Sequence, residues 1–75
     1  MDAKTILSTK LSALKDSVTP ADRELAESEL PISRPTMDKY LSGDIVKIDT
    51  GERLLLFLSK RIKERIKSIR ETNLV

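Results

Sequence analysis

Residues 30–43 read LPISRPTMDKYLSG, and the role of Pro35 in this stretch decides the fold. Met37, Tyr40 and Leu41 recur at three- and four-residue steps, the spacing of one helical face. A proline inside a helix would break it. A proline in the first turn removes only an N–H that has no intrahelical partner. Ser33 is a good N-cap, which places Arg34, Pro35 and Thr36 in the first turn. The residue before a proline disfavours the helical region, so Arg34 is the alternative cap, with Pro35 first in the helix. On either reading Pro35 opens a helix over about 33–41, and Gly43 ends it.

Working outward, the next segment upstream carries the same kind of signal. Thr19 precedes Pro20, and Asp22 follows in the first turn, where its charge suits the helix dipole. A short helix over about 20–29 is expected, with Leu25 and Ala26 facing inward, Ala21 behind them and Pro31 as the stop. Further upstream, Ile6, Leu7, Leu11 and Leu14 form one stripe of a helix from Ala3 to about Asp16. Downstream, residues 44–49 (DIVKID) form a connector whose Ile45 and Ile48 are expected on the core; a short strand over IVKI is the alternative. Asp49 with Glu52 makes a variant capping box for a last helix over about 50–71. The expectation is an all-α fold: one domain over residues 1–75, about four helices, the last one long.

Composition narrows the function. The chain has 75 residues, no cysteine and no histidine. Disulfides and the usual Cys/His zinc sites are excluded, and a reducing compartment fits. The longest apolar run, LLLFL, is far short of a membrane span. Net charge is +2, and it is uneven, with the excess of lysine and arginine in residues 31–75. A basic region of this kind points to a polyanion or to a solvated face. Without His, Cys, a glycine-rich phosphate loop or a carboxylate pair in a cleft, the chain does not read as an enzyme. No cofactor, metal or small-molecule ligand is expected.

The segment ELAESELPISRPTMDKYLSG, residues 24–43, resembles the helix-turn-helix of the Cro and phage-repressor superfamily. Leu25 and Ala26 match the packed pair of the first helix, and Ile32 the residue that plugs the turn. Ser33 matches the cap of the second helix, Thr36 and Met37 its Thr–apolar pair, and Gly43 the glycine after it. The turn is one residue longer here and lacks the family's glycine. The resemblance implies a helix-turn-helix over about 20–42 that binds double-stranded DNA, with the 33–41 helix in the major groove. The residues it assigns to DNA are Ser33, Arg34, Pro35, Thr36, Asp38 and Lys39. Arg34 would reach guanine, Pro35 a thymine methyl, and Lys39, on the same side, a base or phosphate. Ser33 and Thr36 would position phosphates. Asp38 would accept from cytosine, or orient Lys39 or Arg34. The bland reading of the same residues is an exposed helix start, with Tyr40 in the core.

The last helix is too apolar for one face. Leu54 to Leu58 include four leucines and Phe57 in succession, which circle the helix at 100° per residue. Leu55, Leu56, Leu58, Ile62, Ile66 and Ile69 are expected to meet a second copy of the chain, giving a homodimer. Lys60, Arg61, Lys63, Arg65, Lys67 and Arg70 outnumber Glu64 and Glu71 on the other side. Lys60–Glu64 and Lys67–Glu71 are spaced to pair, and the surplus is available for phosphates. The same helix also reads as an amphipathic surface lying on a membrane; the missing tryptophan and interspersed glutamates argue against it. The expectation is a small dimeric transcriptional regulator, cytoplasmic and associated with the nucleoid. The competing readings are a helical protein-interaction module (adaptor or antitoxin-like) with the helix-turn-helix as scaffold, and a DNA-bending protein.

Overall fold

The computed structural model describes residues 2–73, with side chains described through residue 69. It contains four α-helices: α1 (Ala3–Leu14), α2 (Pro20–Glu29), α3 (Arg34–Leu41) and α4 (Ile48–Asn73). No strand occurs among the described residues, so the IVKI segment is a connector. The last turn expected of α1 is instead a 3₁₀ turn, Lys15–Ser17. At 1.5 Å per residue α4 is roughly 39 Å long, close to the 44 Å long axis of the whole molecule. The other helices pack on it: α1 against α3 and α4, and α2 against the same two.

The caps form as their chemistry requires. The Thr19 hydroxyl accepts from the Asp22 N–H, and the Asp22 carboxylate accepts from the Thr19 N–H at 3.1 Å, a complete capping box. Ser33 is the cap of α3, which resolves the ambiguity at Pro35: Arg34 is the first helical residue and Pro35 the second. After α3, Gly43 adopts φ +98°. Its N–H donates to Tyr40 O and that of Asp44 to Lys39 O, so the orphan carbonyls of α3 are closed by a Schellman turn. Gly51 serves a different need. A Cβ there would lie 3.3 Å from Leu7 Cδ1, so its absence lets α1 and α4 approach.

The core is built from Leu7 and Leu11 of α1, Ala26 of α2, Ile32 in the turn, and Met37, Tyr40 and Leu41 of α3. Ile45 and then Leu54 and Leu58 of α4 complete it. Tyr40 is buried as a core residue, and its hydroxyl accepts from the Lys47 N–H at 2.8 Å, pinning the connector to α3.

Four apolar assignments change. Leu58 is fully buried, so it belongs to the core and not to a face available to a second copy. On α4 the inward line runs Gly51, Leu54, Leu58, and Ser59 takes the position beside it that Leu58 was expected to hold. Leu25 is exposed because the inward positions of α2 are Asp22 and Ala26, one turn apart. Ile48 is exposed because α4 begins there, one residue before the expected cap Asp49, and its first turn offers that side chain to solvent. Ile6 lies at the edge of its stripe and is also exposed. Arg70 and the Glu71 partner of the expected Lys67–Glu71 pair lie outside the described side chains, and Lys60–Glu64 forms no ion pair among the described residues.

Candidate nucleic-acid interface

Of the residues assigned to DNA, Ser33, Arg34, Pro35 and Thr36 form the cap and first turn of α3, while Asp38 and Lys39 lie in its second half, Lys39 in the last turn. Ser33, Arg34, Pro35, Asp38 and Lys39 are exposed and Thr36 is half-buried. The Ser33 hydroxyl donates to Thr36 Oγ1 at 2.8 Å and accepts from the Thr36 N–H at 3.4 Å. Both hydroxyls therefore stand at the helix tip in a fixed arrangement.

The structure divides the remaining residues between two sides of α3. Arg34 and Asp38, one turn apart, face α2. Arg34 Nε lies 3.8 Å from Glu27 Oε1, and Asp38 accepts from Arg23. Arg23 and Glu27 are also one turn apart on α2, so the two helices are joined by a ladder of opposite charges. The sequence reading missed this pairing: Asp38 orients neither Lys39 nor Arg34, because Arg23 holds it. Pairs this exposed contribute little stability, about 0–1 kcal/mol each. Their consequence is electrostatic. The carboxylate nearest the outward face of α3 carries a compensating charge.

Lys39 points to the other side, so it does not share a side with Arg34. With Ser33 and Thr36 it lines an open groove of about 550 Å³, closed below by Tyr40 and on the far wall by Val46 and Lys47 of the connector. Lys39 and Lys47 are its charged lining residues, with no carboxylate among them. Neither lysine has an ion-pair partner among the described residues. Pro35 is exposed, and at 100° per residue it falls between Arg34 and Lys39 around the helix.

Two arginines expected on the polar side of α4 are turned inward. Arg61 Nε and Arg65 Nη1 each donate to the Asp22 carboxylate at 2.9 Å, and Arg65 Nη2 donates to Ser17 O at 2.6 Å. Asp22 is completely buried. Burial alone would raise its pKa, but the Arg61 guanidinium, the Thr19 N–H and Arg65 together outweigh that and hold the carboxyl well below the ordinary range. Arg61 and Arg65 are therefore structural, and the phosphate contacts available to α4 are fewer than its composition implies.

A second surface lies between α1 and α4. Ile6, Lys10, Glu52, Leu55 and Leu56 border an apolar groove that continues past Ala13, Ser59 and Lys63. Of the residues expected to meet a second copy, Leu56 (71% exposed), Ile66 (48%) and Ile69 (55%) are open to solvent. Leu55 and Ile62 are half-buried. Among the described residues no helix is long and apolar enough to cross a membrane, and no group of acidic side chains is placed to hold a metal ion. No family model matches the chain, and neither curated proteins nor solved structures give a match.

Proposed function

We propose that this chain binds double-stranded DNA in a sequence-dependent way through α3, and acts as a small transcriptional regulator by occupying its site. The observation that carries the reading is the start of α3. It is an exposed, serine-capped helix tip with an arginine on one side and a carboxylate-free groove holding Lys39 and Lys47 on the other. A helix tip of this kind enters a major groove with its first turn near base edges. Lys39 and Lys47 would meet phosphates, while Ser33 and Thr36 offer short polar groups to the same backbone. Arg34 keeps about half of its side-chain surface free and is held only by a long contact to Glu27. Exchanging Glu27 for guanine is therefore a small step.

The test is selection of bound duplexes from a random pool, followed by the salt dependence of binding to the enriched sequence. Lys39→Ala with Lys47→Ala should weaken binding to all duplexes alike and flatten the logarithmic salt slope by roughly 2 per bound chain. Arg34→Ala should relax preference at one base position, a discrimination of about 1–3 kcal/mol. Failure to enrich any sequence would remove the specific reading.

A second reading, a helical interaction module with α2 and α3 as scaffold, is favoured by one observation: the exposed Leu56, Ile66 and Ile69. It predicts salt-sensitive but sequence-blind DNA affinity.

A further inference from the structure

We propose that the groove between α1 and α4 receives the basic, isoleucine-bearing end of α4 from a second copy of the chain, in an antiparallel two-fold pair. The first support is the pattern on α4. One helical line, Gly51, Leu54 and Leu58, is buried, and Arg61 and Arg65 continue it on to Asp22. The neighbouring line runs Leu55, Ser59, Ile62, Ile66, Ile69, stepping 4-3-4-3. That is the spacing of a coiled-coil seam. Among the described residues of one chain nothing covers its far end: Ile66 and Ile69 are about half exposed.

The second support is length. α1 has 12 residues, which at 1.5 Å each reach about 18 Å, less than half of α4. The groove residues of α1 run from Ile6 through Lys10 to Ala13 and oppose α4 from Glu52 to Lys63. One half of α4 thus carries a groove, and the other half carries an uncovered ridge. Such a chain is complementary to itself only head to tail. Setting Ser59 beside the second copy's Ile62 places Leu55 beside its Ile66 and Glu52 beside its Ile69. Each ridge then fills the other chain's groove, as an isologous interface requires.

Charge selects the same direction. The α4 rim of the groove carries Glu52 toward its N-terminal end and Lys63 toward the other, with Leu56 between them and Lys10 on the α1 wall; Lys67 follows one turn beyond Lys63. In an antiparallel pair this rim faces itself reversed, so Glu52, set beside the second copy's Ile69, comes next to that copy's Lys67. In a parallel pair Lys63 would face the line of Leu58 and Arg65, which the chain's own core and Asp22 already occupy.

The test uses the full chain and does not involve DNA, so a failure of pairing and a failure of DNA binding are read separately. Sedimentation equilibrium should give twice the chain mass. Leu56→Glu and Ile66→Glu, both at exposed positions, should keep the helical circular dichroism and raise the dimer dissociation constant at least ~10-fold. Glu52→Lys should weaken the pair and Lys67→Glu in the same chain should restore it, which covers the case of an apolar variant that fails to fold. Because the chain has no cysteine, orientation can be read directly. Leu56→Cys mixed with Ile66→Cys should form mixed disulfides, while each alone should not. A single-chain mass up to about 1 mM overturns the proposal, as does a monomer that binds anionic phosphatidylglycerol vesicles through this face. Efficient disulfide formation by Ile66→Cys with itself overturns the antiparallel arrangement.

Discussion

Asp22→Asn tests the least expected feature of the fold, because it removes one charge and almost no volume. The carboxylate is fully buried and accepts from two guanidiniums at 2.9 Å and from the Thr19 N–H at 3.1 Å. Hydrogen bonds to charged groups contribute roughly 1.5–3 kcal/mol each, and breaking a buried ion pair removes about 3–5 kcal/mol. Two features lower the figure here. Asparagine keeps one acceptor oxygen, and the arginine side chains are about one-third exposed (36% and 35%), so water solvates them once released. The expected loss is about 2–3 kcal/mol, a large share of the roughly 4–11 kcal/mol available to a chain of this size. In a thermal melt it corresponds to a drop of ~10–20 °C. The assay is urea unfolding at neutral pH, followed by far-ultraviolet circular dichroism, for the wild type, Asp22→Asn, Arg61→Gln and the double variant. The structure requires a coupling of at least ~1 kcal/mol between Asp22 and Arg61. The pH dependence follows from the same contact. The folded chain holds this carboxyl below its ordinary 3.8, so on acidification the unfolded chain takes up the proton first. The stabilisation is complete above about pH 5 and is lost progressively as pH falls below that. Asp22→Asn should show a shallower acid limb. A loss below ~0.5 kcal/mol at neutral pH, or an unchanged acid limb, would refute the reasoning.

Gly43→Ala should destabilise the chain by about 1–2 kcal/mol, because φ is +98° and the new Cβ would stand 2.7 Å from Ser8 Oγ; an unchanged urea midpoint would contradict this. That serine also donates to Gly43 O at 2.8 Å, so hydrogen exchange in α1 should accelerate together with that in α3. Ser33→Ala should remove about 1 kcal/mol and speed amide exchange at Thr36, whose N–H it caps; Ser33→Asp should restore protection. Glu27→Gln frees Arg34 and should raise affinity for the selected duplex a few-fold, and a fall in affinity would show that the Glu27 contact positions the arginine.

Most of the element boundaries were legible because caps are local chemistry. Thr19 and Asp22, Ser33 and Pro35, and Gly43 each act within four residues of their own position, so their types and order suffice. The Asp22 latch spans 39 residues to Arg61 and was not readable in that way. An acid in a first turn already has an adequate explanation in the helix dipole. A signal was nevertheless present. Continuing the stripe of Gly51, Leu54 and Leu58 by steps of three and four reaches Arg61 and Arg65, two cations on an otherwise buried line. Cations there call for a buried anion on a facing helix. The exchange of Leu58 for Ser59 on the exposed seam has a related cause. With five apolar residues in succession, sequence spacing fits several stripes equally well, and only the position of the other helices picks one. Arg34 and Lys39 fall on different sides because five residues are not one helical turn. Five residues at 100° each separate them by about 140°, which puts them on different sides of α3.

The Asp22 latch also bears on how strongly one chain can hold DNA. With Arg61 and Arg65 committed to Asp22 and Arg23 to Asp38, the cations left on α3 and along its groove are Arg34, Lys39 and Lys47. Two or three phosphate contacts give a logarithmic salt slope of only about −2 to −3. A specific complex at physiological salt rests on more than that, so the DNA reading leans on two copies acting together. The two grooves allow it. The α3 groove and the α1–α4 groove have no lining residue in common, so a second copy on α4 would leave the proposed DNA surface open. Ile66→Glu, remote from α3, should then reduce the salt slope on a palindromic duplex to about half its wild-type value, by removing the second copy's contacts. An unchanged slope would mean that one chain alone makes all the phosphate contacts, and that the pairing surface serves something other than DNA.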